Sequence, residues 1–221
     1  MMSGKTILAA LLLLTALFSG CAGEEQVYEG KTYAIEAEKI QGILIDVRDR
    51  RIEVSASEDD RIYIDYFESE ENGYDIQVSE EGLLSITGRK EEGFSGYFGL
   101  RLSGEESKIL VRISEKTLSR LNLSTTNEDI RIDASLSAES VCLANNNGDI
   151  SFDLLDIGAE LDLENKNGDI RGTLSGSDHQ YAISAVCKKG RSNLPENKEG
   201  GEKTLHVRNN NGDIDISFTE E

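Results

Sequence analysis

The chain is short of the residues that make chemistry easy to find. In 221 residues it has one proline, no tryptophan, two histidines and three cysteines, and 23 basic side chains stand against 42 acidic ones. Each shortage excludes something. A net charge of −19 repels phosphate backbones, which argues against nucleic-acid partners. It also repels anionic headgroups, so attachment to a membrane should be covalent rather than electrostatic. His179 and His206 have no HExxH or CxxC companions that would make a zinc site. The stretch "GFSGYFG" lacks the second glycine of a nucleophile elbow. Paired carboxylates carry no information in so acidic a chain. No catalytic, cofactor-binding or metal-binding residue is assigned, and the chain reads as a non-enzyme. The acids are interspersed with apolar residues, unlike the composition of a disordered chain.

Long apolar runs are equally scarce. The one present, Ile7 to Phe18, follows Lys5 and precedes Ser19, Gly20 and Cys21. It is too short to span a bilayer comfortably and has the length of a signal-peptide core. The segment "MMSGKTILAALLLLTALFSGC" resembles a bacterial lipoprotein signal, in which the cysteine is diacylated and begins the mature protein. It departs from that pattern at Phe18, where an aliphatic residue is usual; cleavage after Ala22 is the alternative. The resemblance implies a signal peptide at 1–20, lipid attachment at Cys21, a polar tether over 21–32 and a place on the extracytoplasmic face of the cell membrane. One acyl chain holds a protein only marginally, whereas a diacylglyceryl group supplies two.

What the chain has in quantity is alternation: "GILIDV", "RIYIDY", "YDIQV", "KILVRI", "DIRID", "ELDLE" and "DIDISF". Apolar residues at every second place define half-buried strands. It also has a recurrent word, NGD, at Asn147-Gly148-Asp149, Asn167-Gly168-Asp169 and Asn211-Gly212-Asp213, with a worn copy at Asn127-Glu128-Asp129. With the Asn as position zero, the gaps are 20, 20 and 44 residues, and Lys189-Gly190 fills the long gap to give a period of 20–22. Apolar columns fall six and four places before zero (Leu121, Val141, Leu161, Ile183, Leu205; Leu123, Leu143, Leu163, Ala185, Val207). Two more fall three and five places after it (Ile130, Ile150, Ile170, Ser192, Ile214; Ile132, Phe152, Gly172, Leu194, Ile216). Each repeat is strand, tight turn, strand, and must stack on its neighbours to bury its apolar face. Glycine supplies a positive φ at the corner, Asn tolerates left-handed geometry and Asp can bond the turn's amides. The corner at Glu128 should differ in shape. Ile43, Ile45, Val47, Ile52 and Val54 fit the same frame with Asp49 at zero, and residues 62–66, 74–78, 83–87 and 109–113 give further strands.

The expected fold is all-β: a right-handed β-solenoid or β-helix-like stack over 33–219, less regular in its amino-terminal half. Two places before zero lie Thr125, Asn145, Asn165, Cys187 and Asn209, an inward column whose amides are expected to bond one another along the stack. The file of Asp129, Asp149, Asp169 and Asp213 is explained by turn chemistry, although a divalent cation could bridge it. Cys142 points outward and Cys187 inward, two windings apart, which predicts two free thiols with Cys187 buried. His206 falls in an outward column. One segment breaks the rhythm: "EEGFSGYFGLRLSGEE" carries Phe94, Tyr97 and Phe98, either anchors for a partner or a cap on the stack.

The stretch "KILVRISEKTLSRLNLSTTNEDIRI" together with the recurrent "NNNGDI" resembles the bacterial putative-adhesin, toastrack-type family of unknown function, over about residues 35–218. The resemblance implies a coil-like β domain on an envelope protein and transfers no catalytic residue. The function expected is that of a binding or scaffolding, adhesin-like module in the cell envelope, its partner an envelope protein or a glycan. A component of an envelope-stress system bound to a membrane protein is the second reading. A carbohydrate-active enzyme, which would need an acid pair in a cleft, is the third.

Overall fold

The computed structural model describes residues 27–70, 72–89, 104–114 and 117–220. Cys21, Phe94, Tyr97 and Phe98 lie outside the described residues. Among the described residues alternation becomes fifteen strands: β1 (Glu29–Glu36), β2 (Gly42–Asp46), β3 (Arg51–Ala56), β4 (Arg61–Glu68), β5 (Gly73–Val78), β6 (Leu83–Arg89), β7 (Lys108–Ile113), β8 (Leu118–Thr125), β9 (Ile130–Asn147), β10 (Ile150–Asn167), β11 (Ile170–Ser177), β12 (Tyr181–Lys189), β13 (Asn197–Lys198), β14 (Lys203–Asn211) and β15 (Ile214–Glu220). No α-helix occurs among the described residues. β1 begins at Glu29, so it takes up the last residues of the segment read as a tether.

Each winding contributes one strand before the turn and one after it. On the side before the turn the order is β5, β6, β2, β8, the second half of β9, the second half of β10, β14, β12 and β13. On the side after it the order is β1, β4, β7, β3, the first halves of β9 and β10, β11 and β15. β9 and β10 are 18 residues long because they serve both sides. Their register shifts between Phe152 and Leu154 and again between Ile157 and Glu160, where the strand passes from one side to the other. Winding on winding is parallel; antiparallel pairing is confined to the ends, at β1–β4, β4–β7, β5–β6 and β12–β13. The result is β-solenoid-like.

The columns read from the sequence are the core. Leu121, Val141, Leu161 and Leu205 are fully buried, as are Ile130, Ile150 and Ile170. Parity alone places them, because side chains alternate across a strand. The frame with Asp49 at zero also holds: Ile43 pairs with Leu121, Ile45 with Leu123, Ile52 with Ile130 and Val54 with Ile132. The odd glycine in an apolar column has a local cause. A Cβ on Gly172 would lie 2.2 Å from the ring of Phe152 in the next winding, so the large side chain occupies the space of two. Ser192, the polar member of its column, is exposed on the last winding.

The stacking order differs from the order of the chain. The spacing of 20, 20, 22 and 22 places Lys189 between Asn167 and Asn211. In the structure β14 pairs with β10, Leu205 opposite Leu161, and β12 lies outside β14, Ile183 opposite Leu205. The spatial sequence of corners is therefore 127, 147, 167, 211, 189. The windings with an Asn at zero are contiguous and the Lys winding closes the end, where no further amide partner is needed. The amino-terminal end shows the same interleaving: β2 and β3 lie against β8 and β9, while the later β6 and β7 lie outside them.

Tyr181 sits at the carboxyl-terminal end of the core, fully buried, its ring 5.6 Å from that of Phe218. Among the described residues its hydroxyl has no hydrogen-bond partner, and burial pushes its pKa up to about 12 from the ordinary 10.0. Below pH 10 the phenol is neutral in both folded and unfolded chains. Above it the unfolded chain ionises first, so stability falls as pH rises from 10 towards 12. Tyr181→Phe is expected to leave stability at pH 7 unchanged or slightly raised, because an orphan hydroxyl is removed. It should also flatten the alkaline decline, read as melting temperature against pH. A large loss at pH 7 would show that the hydroxyl is bonded.

Candidate functional site

The repeated word builds one edge of the molecule. Gly148, Gly168 and Gly212 have φ of 124, 125 and 134°, a conformation open to glycine and costly for other residues. Stacking tightens the demand. A Cβ on Gly168 would lie 2.2 Å from the carbonyl oxygen of Gly148, and one on Gly212 would lie 2.1 Å from that of Gly168. The backbone therefore approaches itself at each corner as closely as a missing side chain permits. At the worn corner, Glu128 replaces glycine. The neighbouring winding turns at Asp49, whose φ of 55° makes it the only described non-glycine residue with a positive one.

The Asn residues at zero form a chain of amides. Asn147 donates Nδ2 to Oδ1 of Asn127 at 2.7 Å, Asn167 to Asn147 at 2.8 Å and Asn211 to Asn167 at 2.7 Å. Asn127 in turn donates to the carboxylate of Asp49. The amide ladder thus exists, but on the outer column rather than the inner one. The inner Asn145, Asn165 and Asn209 are buried as expected. They bond backbone instead, donating Nδ2 to the carbonyls of Glu128, Gly148 and Gly168 at 2.8, 2.8 and 2.9 Å. The reason is the turn itself: its carbonyl points inward and would otherwise be buried without a donor.

Each carboxylate of the Asp file is engaged by groups of the chain itself. One oxygen of each carboxylate accepts the backbone N–H of the next: Asp129 from Asp149 at 2.9 Å, Asp149 from Asp169 at 2.8 Å, Asp169 from Asp213 at 2.7 Å and Asp213 from Arg191 at 2.8 Å. The other oxygens face guanidinium groups. Arg171 lies between Asp149, at 3.6 Å, and Asp169; Arg191 pairs with Asp213 at 2.7 Å; and Arg51 stands 3.7 Å from Asp129. The amide and guanidinium of Arg191 hold the Asp213 carboxyl below its ordinary value. Repulsion along the file, with windings about 4.8 Å apart, is relieved by these arginines. Sequence reasoning missed their role, although Arg171 and Arg191 were visible four and two places after zero.

Cys142 and Cys187 are free. Cys187 is half-buried rather than buried, with its thiol bonded to the Gly212 carbonyl at 3.4 Å, because its winding is the terminal one. The interleaved order puts the two cysteines three strands apart, not two. Burial pushes both thiols above their ordinary value. His206 is exposed on its outward column. Among the described residues no group of three His, Cys, Asp or Glu side chains is disposed to hold a metal ion, and no helix is long and apolar enough to cross a membrane. An open depression of about 410 Å³ lies at the carboxyl-terminal end between Ile183, Leu194, Ile216 and Phe218.

The family profile of Toastrack DUF4097 matches residues 40–221. Eight solved chains resemble the fold. One is a putative cell adhesion protein from Clostridium sporogenes, 13% identical, with 87% of this chain aligned to 100% of that one at a TM-score of 0.58. Another is a putative adhesin from Bacteroides fragilis, 10% identical, with 86% of this chain aligned to 96% of that one at a TM-score of 0.35. No curated protein matches in sequence. At such identities the first likeness establishes shared architecture, while the profile covers most of the chain. The chain therefore belongs to the Toastrack DUF4097 family.

Proposed function

We propose that the protein is a lipid-anchored, extracytoplasmic module that binds or scaffolds other molecules in the cell envelope, in the manner of an adhesin. The observation that carries this reading is how the recurring polar residues are used. Every Asn and Asp that the repeat singles out is engaged within the stack, by the amide chain, by turn carbonyls or by neighbouring amides. The repeats supply rigidity, and recognition is left to features that occur once. The family match and the putative cell adhesion protein that shares the fold agree with a binding module rather than a catalyst. The lipoprotein-like segment ending at Cys21 supplies the anchor, and the segment with Phe94, Tyr97 and Phe98 is the first candidate for partner contact.

Two experiments test this reading. In cells fed an alkyne fatty acid, the unmodified protein is expected to carry label and sediment with membranes. Cys21→Ser should lose the label and leave the membrane fraction. Label retained by Cys21→Ser would remove the anchor. Crosslinking in intact cells should recover a partner, and deletion of 91–106 should reduce its yield at least tenfold while leaving the melting temperature unchanged. Undiminished recovery would reject that segment as the contact.

A further inference from the structure

The two ends of the stack are finished differently. At the carboxyl-terminal end, β13 pairs with the outer edge of β12, and the Asn193 side chain stands in for a strand beside β15. Its Nδ2 donates to the Ile216 carbonyl at 2.8 Å and its Oδ1 accepts the Ile216 N–H at 3.0 Å. Leu194 is buried beneath this cover. At the amino-terminal end, among the described residues, β1 pairs only with β4 and β5 only with β6, so there both sides of the stack stop at an outer strand edge. Between those edges lies a cross-section of the core. Tyr33 and Ile35 of β1, Tyr66 of β4, and Tyr74 and Ile76 of β5 pack against it but are only partly buried. Tyr66 and Tyr74 meet edge to face at 5.4 Å. Val27 and Val78, 75% and 38% exposed, belong to the same end. Among the charges nearby, Lys31 pairs with Glu68 and Arg61 with Glu36, Arg50 donates to the Tyr74 hydroxyl at 2.7 Å, and the acids Glu29 and Asp75 are exposed.

We propose that this amino-terminal end is a membrane-contact surface, and that the stack stands on it with its windings piled away from the bilayer. Tyrosine and aliphatic side chains with paired charges suit the headgroup region, where one end of a ring is wet and the other is not. The length of chain leading to this end selects the occupant. Val27 is six residues from Cys21, a reach of at most about 20 Å, so a lipid on Cys21 keeps this end, and not the opposite one, beside the bilayer. The acidic surface elsewhere repels anionic headgroups, which makes a zwitterionic surface the matching one. The inference rests on the anchor proposed above.

The test supplies the anchor chemically, so that the two ideas fail separately. The chain from Cys21 onward, carrying Cys142→Ser and Cys187→Ser, is coupled through Cys21 to maleimide lipid in phosphatidylcholine vesicles containing brominated lipid. Since the chain has no tryptophan, single tryptophans report contact. Quenching is expected to halve the emission of Tyr33→Trp and Ile76→Trp and to leave Val186→Trp unchanged. In the chain without tryptophan substitutions, amide exchange at 29–36 and 73–78 should slow at least threefold on coupling, with none at 181–189. Equal quenching at all three sites, or exchange unaltered at β1 and β5, would overturn the proposal. So would a dimer of the uncoupled chain that Ile76→Arg dissociates, since that assigns the end to a second copy.

Discussion

Gly168→Ala is expected to destabilise the protein by about 3 kcal/mol or more, among the largest effects a single methyl group can have here. Two causes add. The residue has φ of 125°, and its new Cβ would lie 2.2 Å from the Gly148 carbonyl oxygen, an atom of the backbone that cannot rotate away. That carbonyl also accepts the Asn165 amide, so displacing it disturbs the inner column as well. Gly212→Ala should behave alike, because its Cβ would meet the Gly168 carbonyl at 2.1 Å. Gly88→Ala is the control: a Cβ there meets nothing within 4 Å, and its cost should stay below about 0.5 kcal/mol. Urea unfolding midpoints measure all three. Similar midpoints for Gly168→Ala and Gly88→Ala would mean that the corners are not stacked as described.

Termination after Glu199 is expected to remove two windings rather than one. The deletion takes away β14 and β15 directly. β12, however, pairs only with β14 and with the two-residue β13. Without β14 the two-residue β13 is too little to hold 181–189, and the edge of β10 is left open, a template for aggregation. In a Cys142→Ser background, alkylation of Cys187 should rise to the rate of the unfolded chain, and amide protection should vanish over 181–189. Retained protection there would mean that β12 had closed directly on β10, as chain order alone would have it.

The class of fold and most of the core were legible because they depend on parity. Side chains alternate along a strand, and a glycine that must turn the chain fixes the phase, so Leu143, Leu163 and Val207 could be placed inside from spacing alone. Order along the stack was not legible in the same way. A strand with Ile183 and Ala185 inward fits beside β10 as well as beside β14; what decides is which neighbour continues the amide chain, and Lys189 cannot. A contiguous run of Asn147, Asn167 and Asn211 is the signal that departs from an even period. The inner amides were misassigned for a related reason. Asn145 and Asn165 were correctly placed beside the turn, but the inward carbonyls of Glu128 and Gly148 outcompete a neighbouring side chain, being fixed in place and otherwise unsatisfied. The arginines between the aspartates escaped notice because charge on an outward column reads as a solvated face.

Spatial order in the stack is the central claim, and a pair of engineered disulfides tests it most directly. Glu164 lies opposite Arg208 on β10 and β14, and Arg208 lies opposite Val186 on β14 and β12. One strand spacing, about 4.8 Å, falls within the span a disulfide bridges, and two spacings do not. With Cys142 and Cys187 replaced by serine, the double variant Glu164→Cys, Arg208→Cys is predicted to oxidise to an intrachain bond, while Glu164→Cys, Val186→Cys remains reduced. Oxidation of the second pair and not the first would show the windings stacked in chain order and would contradict the account.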